Sequence, residues 1–410
     1  MAAWETLRKF GLGHCDLPTF LWNVTVMLRL VVLDIDSRNK KGIHSFFYIL
    51  LPILIFSFVY VFIFSGIWFV VFRAVELGVT TYRVKVLSLT ICTEMGPIKY
   101  FYLFLNRSAT KQLIDDYLAC DALVEADSRA ARKLVENMRI VKRRALIYWS
   151  IIMATGVIYL IRPALHPTKR IAIDENFPLY GLEPVLESPN YEVNTALMTL
   201  ACFFTVFPPA QINVLLIAMV GYTESQLKAL GCDLMSVWED AEKHYEDIKH
   251  SRLDNNADEA RIKNEFVRRK LRSIQKVHVK NIALIRETQR IFRNAFAGEL
   301  IVLIISLTLE LIVGLKKTYD QIPFAFFQIG IECYVGQKLI DAGVAFEHAL
   351  YDSNWENFDV RNKKTILLML VDAQSTLMLS AGGVSIMNFE LLMSIIKSVY
   401  SAYKALETQE

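Results

Sequence analysis

Side chains that could carry covalent or metal chemistry are scattered along this sequence. An HExxH zinc motif, a CxxC pair, a phosphate-binding GxxxxGK[ST] loop and a GxSxG nucleophile turn do not occur in the 410 residues. The seven histidines are also dispersed, whereas a metal site needs several ligands at close spacing. The sequence therefore indicates neither an enzyme nor a cofactor. The informative polar groups are those inside apolar segments.

The last apolar segment, about Val384 to Tyr403, carries a stripe of polar side chains. Spacings of 4, 3, 4 and 3 place five residues on one helix face: Glu390, Ser394, Lys397, Ser401 and Lys404. In lipid such a stripe must face either a neighbouring helix or a water-filled pore. Both interpretations stay open from the residues alone, because Glu390 and Lys397 lie close enough to weaken each other's field.

Ionisable and amide side chains also interrupt three other apolar segments, at about 79–105, 295–315 and 322–351. These residues are Glu94, Lys99, Glu299, Glu310, Gln328, Glu332, Gln337, Lys338 and Asp341. A charge in hydrocarbon needs a partner or water. We expect structural pairing within the protein, with a water-filled path as the alternative.

A third group of residues is aromatic or sulfur-containing and falls in or near one half of the apolar segments. Its members are Tyr82, Met153, Tyr159, Met198, Phe203, Phe204, Phe324 and Phe327, with nearby hydroxyls such as that of Thr199. Core packing and interfacial aromatic belts explain each residue individually. As a set, they predict a pocket between helices for a small hydrophobic ligand.

The segments that position these groups are long enough to cross a membrane. The composition is 54% hydrophobic and 21% charged, and no charged residue occurs from Ser45 to Phe72. At about 1.5 Å per helical residue this run crosses a bilayer. Ala145 to Ile161 and Val193 to Thr223 are also uncharged, and Pro208 and Pro209 should kink the latter helix without ending it. With four more charged segments, the sequence predicts an all-α integral membrane protein of seven spans.

The distribution of basic residues predicts the orientation of these spans. With seven spans, 33 of the 45 Lys and Arg residues fall on the side of the N-terminus, 7 on the other side and 5 within spans. The excess predicts a cytosolic N-terminus and an extracellular C-terminus, the reverse of a G-protein-coupled receptor. The glycosylation sequons at Asn23 and Asn106 would then be cytosolic and unused. The net charge of +3 by itself implies nothing about nucleic acid, and we expect no nucleic-acid partner.

The predicted organisation follows from these spans. A cytosolic segment (1–44) precedes spans one to four (45–222), which enclose an outer loop (162–192). A cytosolic helical loop (223–294), spans five and six (295–351), a cytosolic segment (352–383) and a last helix with an extracellular end (384–410) follow. From 260 to 293 apolar residues recur at helical spacing between basic ones, which predicts helices extending below the membrane. Their function is either simple packing or an anchor where subunits meet. Gly382 and Gly383 should separate a cytosolic helix from the last span.

Several C-terminal motifs occur in a recognisable order. They are Cys333-Tyr-Val-Gly-Gln-Lys-Leu339, Ala349-Leu-Tyr-Asp-Ser-Asn-Trp355, Ser380-Ala-Gly-Gly383 and Met393-Ser-Ile-Ile-Lys-Ser-Val-Tyr-Ser401. In these motifs, and in length and inverted topology, the chain resembles the insect odorant receptors. The resemblance is strongest over about the last 130 residues.

The resemblance implies a ligand-gated cation channel in which an odour-tuning subunit and an obligate co-receptor form a heterotetramer around a central pore. The 223–294 loop is shorter than in the co-receptor, which favours a tuning subunit. The resemblance also implies a location in the plasma membrane of sensory dendrites. The last helix would line the pore, with the gate near Tyr400 to Lys404 and Tyr403 as the best single residue. The pocket for a small hydrophobic volatile would lie between spans two, three, four and six, in their outer half. A G-protein-coupled or gustatory-type seven-helix receptor is the alternative.

Overall fold

The computed structural model describes residues 8–125, 128–161, 177–185, 187–251, 258–314, 321–375 and 377–407. These residues form a helical bundle with one short hairpin. The helices are α1 (Leu17–Leu28), α2 (Ser45–Glu76), α3 (Thr80–Thr93), α4 (Met95–Leu105), α5 (Arg107–Asp121), α6 (Arg129–Ile161), α7 (Asn190–Met235), α8 (Val237–Ser251), α9 (Glu259–Val313), α10 (Gln321–Tyr351), α11 (Val360–Ala373) and α12 (Phe389–Glu407). The strands are β1 (Ser380–Ala381) and β2 (Ser385–Ile386), which pair antiparallel.

Four helices, α2, α6, α7 and α9, are long and apolar enough to cross a membrane. The consecutive helices α3 and α4, together with α10 and α12, supply the remaining three spans, and the intramembrane charges lie on these helices and on α9. The most apolar part of α7 is 89% buried, compared with 22% in α6 and 28% in α2. A helix that is apolar on every side is stable only when protein surrounds it or lipid does. Helix α7 is therefore the centre of the bundle, and α2 and α6 face lipid.

The helices extend well beyond the membrane. Helix α9 contains 55 residues, which corresponds to about 80 Å at about 1.5 Å per residue, against about 30 Å for the hydrocarbon layer. Its predicted apolar stripe is buried, as Val267 and Leu271 at 0% exposure show. The prediction of a packed helical extension is confirmed. Helix α7 continues through Pro208 and Pro209, as predicted.

The predicted membrane limits at 222/223 and 294/295 fall inside the continuous helices α7 and α9 and stay predictions of where each helix leaves the membrane. Two details of the predicted helices differ in the structure. The second span is two helices that meet at Glu94. The last membrane helix begins at Phe389 and not at Val384, because β2 and Asn388 occupy the residues between, and the Asn388 side chain accepts a hydrogen bond from Leu391 N at 2.8 Å.

The β-hairpin between α11 and α12 explains how Gly382 and Gly383 separate these helices. Both glycines have positive φ, at 63° and 82°, a conformation that disfavours other residues. Gly382 N donates to the Arg293 carbonyl of α9 at 2.8 Å. The Gln289 side-chain amide of α9 makes two hydrogen bonds to the Ser380 backbone. Its Oε1 accepts from Ser380 N–H at 2.7 Å, and its Nε2 donates to the Ser380 carbonyl at 2.9 Å. The hairpin therefore fixes the start of α12 to α9.

Candidate functional site

A small cavity lies between α2, α3, α6, α7 and α10. Its volume is about 60 Å³. The lining residues are Phe62, Leu89, Cys92, Thr93, Thr155, Gly156, Tyr159, Cys202, Thr205, Val206 and Phe324. Gly156 lets α6 approach α7, since a Cβ there would come within 3.2 Å of the Val206 side chain. The lining is apolar with a few hydroxyl and thiol groups, which suits a small hydrophobic molecule with one polar group.

Residues 177–183 of the predicted outer loop cover one end of α2. Phe177 and Leu179 are almost fully buried, and the Tyr180 ring packs edge-on against Trp68 with 5.3 Å between ring centroids. The guanidinium of Arg73 pairs with the Glu183 carboxylate at 3.1 Å. Residues 162–176 and 186 of this loop lie outside the described residues.

A buried ion-pair cluster lies on the same spans. The Lys99 ammonium of α4 pairs with the carboxylates of Glu299 in α9, at 2.7 Å, and Glu332 in α10. It also donates to Asn213 Oδ1 in α7 at 3.0 Å. The three charged side chains are at most 2% exposed. One cation thus holds two carboxylates and an amide, which confirms structural pairing for this group.

The Asn213 amide extends this cluster to the third span. Asn213 Nδ2 donates to the Tyr148 hydroxyl at 2.7 Å and to Gln328 Oε1 at 2.8 Å. The Tyr148 hydroxyl in turn donates to Gln328 Oε1 at 2.9 Å. Helices α4, α6, α7, α9 and α10 are therefore connected at one level. We call the six residues Tyr148, Lys99, Asn213, Glu299, Gln328 and Glu332 the polar cluster.

The polar cluster lies beneath the cavity. Tyr148 is seven positions from Thr155, Asn213 is eight from Thr205 and Glu332 is eight from Phe324, while Gln328 is one turn from Phe324. At about 1.5 Å per residue the separation is about 10–12 Å. Lys99 and Cys92 show the same offset across the α3–α4 junction. The cavity therefore has a rigid, charge-paired floor.

Helix α10 connects this floor to α12. One turn beyond Glu332, Gly336 contacts the segment before α12, and a Cβ there would lie only 1.9 Å from the Met387 carbonyl oxygen. Helix α12 packs its Ile395 and Val399 side into the bundle, both at most 4% exposed. Movement of α10 would therefore be transmitted directly to α12.

The predicted stripe lies on the opposite face of α12. Glu390, Ser394, Lys397, Tyr400, Ser401 and Lys404 are all exposed in the single chain, and Tyr403 is half-buried with the Lys404 ammonium 5.7 Å from its ring centroid. Glu390, Lys397 and Lys404 are seven residues apart, so they lie in one line along this face. This line lies on the face of α12 that is turned away from the bundle.

Comparison with known proteins identifies the family. The model of the family described as 7tm Odorant receptor matches residues 80–400. The chain belongs to this family. Odorant receptor 30a of Drosophila melanogaster is 33% identical over 73 residues, which are 18% of this chain and 19% of that protein. The chain thus matches about a fifth of the length of this curated relative.

Solved structures of this family share the fold. The insect olfactory receptor OR5 from Machilis hrabei in complex with eugenol superposes with a TM-score of 0.70 at 14% identity, covering 96% of this chain and 99% of that one. A second structure of the same receptor gives 0.71 at 13% identity, with 95% and 98% covered. The predicted family and the all-α seven-span membrane fold are confirmed.

The structure separates the predicted pocket residues into three groups. Tyr159 and Phe324 line the cavity. A second group is buried or half-buried outside the lining and comprises Met198, Phe204, Tyr82 and Met153. Within it, Phe204 packs between Phe58 and Tyr100, whose ring centroids are 5.7 and 5.4 Å away. Phe203, Phe327 and Thr199 are exposed on the outside of the chain, so the cavity does not include them.

The lining residues that the sequence prediction missed are mostly small. Cys92, Thr93, Thr155, Cys202 and Thr205 sit at mid-span, where an emphasis on aromatic side chains passes over them. Small hydroxyl and thiol residues opposite Gly156 leave the space that large side chains would fill. A search for small polar residues on facing helices would have found this group.

Proposed function

We propose that the chain is an odour-tuning subunit of a ligand-gated, non-selective cation channel. A small hydrophobic volatile would bind in the cavity, and a heterotetramer with the family's co-receptor would form the pore in the plasma membrane of sensory dendrites, surrounded by lipid. The observation that carries the proposal is the continuous packing from cavity to polar cluster to α10 to α12. No group of three or more His, Cys, Asp or Glu that could hold a metal occurs among the described residues, and the proposal needs no cofactor.

Ligand binding in the cavity requires rearrangement of its walls. Its volume of about 60 Å³ is well below the roughly 300–1,000 Å³ of ligand pockets. Part of the binding free energy must therefore be used to separate α6, α7 and α10. A ligand shifts gating only through its different affinities for the two arrangements. Eugenol, bound by the Machilis hrabei receptor, is a molecule of the size that would need such an expansion.

The exposed line of Glu390, Lys397 and Lys404 supports α12 as the pore-lining helix. Its buried face already contacts the bundle, so its polar face must meet another subunit or water. The proposed gate is near Tyr400 to Lys404, and Tyr403, half-buried and one turn beyond the buried Val399, lies toward the packed side of α12. A cytosolic N-terminus and an extracellular C-terminus, supported by the distribution of basic residues, would put this gate toward the outer side.

The channel and G-protein hypotheses predict different currents. The chain would be expressed with and without an insect co-receptor, surface delivery verified, and currents recorded during a panel of volatiles while G-protein nucleotide exchange is blocked. A cation current that persists under the block and requires the co-receptor supports the proposal. Loss of the response under the block would instead favour a G-protein-coupled receptor.

Two pairs of variants test whether the cavity binds the ligand and whether α12 lines the pore. Phe324→Ala in the cavity should shift agonist potency about tenfold or more, whereas Phe327→Ala, on the exposed side of the same helix, should not. Lys397→Gln should change rectification or relative cation permeability with little change in potency, and Lys364→Gln on α11 serves as its control. The reverse pattern in either pair would contradict the assignment.

A further inference from the structure

The hydrogen bonds of the cavity hydroxyls determine which polar group a ligand should carry. A threonine hydroxyl has one hydrogen to donate and two lone pairs to accept. Thr155 Oγ1 donates to the Ile152 carbonyl at 2.7 Å, Thr205 Oγ1 to the Ala201 carbonyl at 3.0 Å, and Thr93 Oγ1 to the Thr90 carbonyl at 2.9 Å. Each hydrogen is thus committed to the backbone of the residue's own helix.

The thiol of Cys202 follows the same pattern. Its sulfur is 3.9 Å from the Gly156 carbonyl oxygen, across the α6–α7 contact. Four polar groups on three spans therefore direct their hydrogens at backbone carbonyls. Where their oxygen and sulfur atoms meet the cavity, these groups therefore offer lone pairs, and the rest of the lining is apolar except for Cys92 and the phenol of Tyr159.

From this arrangement we infer that the cavity selects volatiles that carry a hydroxyl donor, such as small alcohols or phenols, over ethers, esters and aldehydes of the same size. The inference rests on the proposed function and specifies its ligand class. A ligand hydroxyl can donate to a threonine oxygen without disturbing the helix. A ligand that only accepts must accept from the Tyr159 phenol or the Cys92 thiol, remain unpaired against the apolar lining, or take a threonine hydrogen away from its carbonyl.

The expected preference follows from the net value of one neutral hydrogen bond. A contribution of about 1 kcal/mol corresponds to about fivefold in affinity, and leaving a buried polar atom unpaired raises this further. We therefore expect an alcohol to bind about 5- to 30-fold more tightly than an isomer without the donor. Hydrophobicity and volume must be matched, because each additional buried methylene changes affinity by a similar amount.

The test compares 1-hexanol with methyl pentyl ether, which is its isomer. Binding is measured by thermal shift of the purified chain in nanodiscs, and gating by current with the co-receptor. Since the thermal shift does not require a channel, failure to conduct would count against the proposed function and leave the binding preference as a separate result. Concentrations are expressed in the membrane phase to remove the difference in partitioning.

Valine variants assign the preference to the threonine oxygens. Thr155→Val and Thr205→Val keep the shape and remove the acceptor, so the alcohol-to-ether ratio should fall toward one while ether binding is kept. Thr199→Val, on the exposed face of α7, should leave the ratio unchanged. Tyr159→Phe, which removes a possible donor to the ether, should keep the ratio or raise it. Equal or reversed affinities, no binding of either isomer, or a preference that disappears only in Tyr159→Phe would overturn the inference.

Discussion

Replacing Gly336 with alanine tests whether contact between α10 and the segment before α12 is required for the fold and for gating. An alanine Cβ would lie 1.9 Å from the Met387 carbonyl oxygen and 3.0 Å from its carbonyl carbon. Non-bonded contacts of this kind are seen only above about 3 Å, so the two segments must separate by about 1 Å. Because the obstacle is backbone, no side-chain rotation relieves it.

Gly343, two turns further along α10, provides the matched control. A Cβ there meets nothing within 4 Å. Both substitutions remove a glycine from a helix and gain about 0.5–1 kcal/mol of helix propensity. This gain cancels in the comparison, and the remaining difference is the cost of overpacking, about 1–3 kcal/mol.

The assay is thermal unfolding in nanodiscs together with the maximal odorant-evoked current per channel at the cell surface. Gly343→Ala should unfold at or above the wild-type temperature and conduct normally. Gly336→Ala should unfold at a lower temperature and lose current even at equal surface density, because α12 is displaced. Equal behaviour of the two variants in both measurements would refute the coupling of α10 to α12.

Two further predictions concern buried charge and pH. Lys99→Met leaves Glu299 and Glu332 without their cation, which should lower the free energy of unfolding by about 3–5 kcal/mol and abolish surface delivery. The control Lys338→Met, at an exposed ion pair, should change stability by less than about 0.5 kcal/mol. Normal surface delivery of the Lys99 variant would contradict the pairing. Burial lowers the pKa of His278, in the extramembrane part of α9, from 6.5 to about 4. The folded chain therefore binds this proton less readily than the unfolded chain, so the stabilisation present above about pH 6.5 is lost as the pH falls toward 4. Between about pH 7.5 and pH 5 the free energy of unfolding should fall by about 2 kcal/mol. The measurement is the fall in unfolding temperature over this pH range. This fall should be smaller in His278→Leu, whereas His250→Leu, on the exposed surface of α8, should leave it as in the wild type.

The parts of the fold that were predictable depend on local sequence. Long uncharged runs locate α2, α6 and α7, since no soluble arrangement accommodates them. The cost of charge in hydrocarbon predicts that Lys99 has a partner, but its two carboxylates lie about 200 and 233 residues further on and are selected only by tertiary packing. The two-residue strands of the hairpin have no detectable periodicity.

The cavity could be predicted as a region but not by residue. Phe203 and Thr205 are two positions apart on α7, yet Phe203 is exposed and Thr205 lines the cavity. An apolar helix shows little contrast between its faces, so a lipid-facing aromatic residue and a pocket aromatic residue look alike in the sequence. The orientation of such a helix is set by packing details such as the Gly156 contact with Val206.

The polar cluster has a mechanical consequence for the bundle. Five spans are fastened to each other at one level by buried ion pairs and hydrogen bonds. Stiff rods held at one level tilt about it, so this level is a fulcrum. A ligand that pushes α6, α7 and α10 apart in the cavity would swing the opposite arms of these rods in the other direction, toward the long extramembrane part of α9. We expect spin-label distances measured between α6 and α10 to change with opposite sign on the two sides of Lys99 when an agonist binds, and changes of one sign on both sides would exclude a lever.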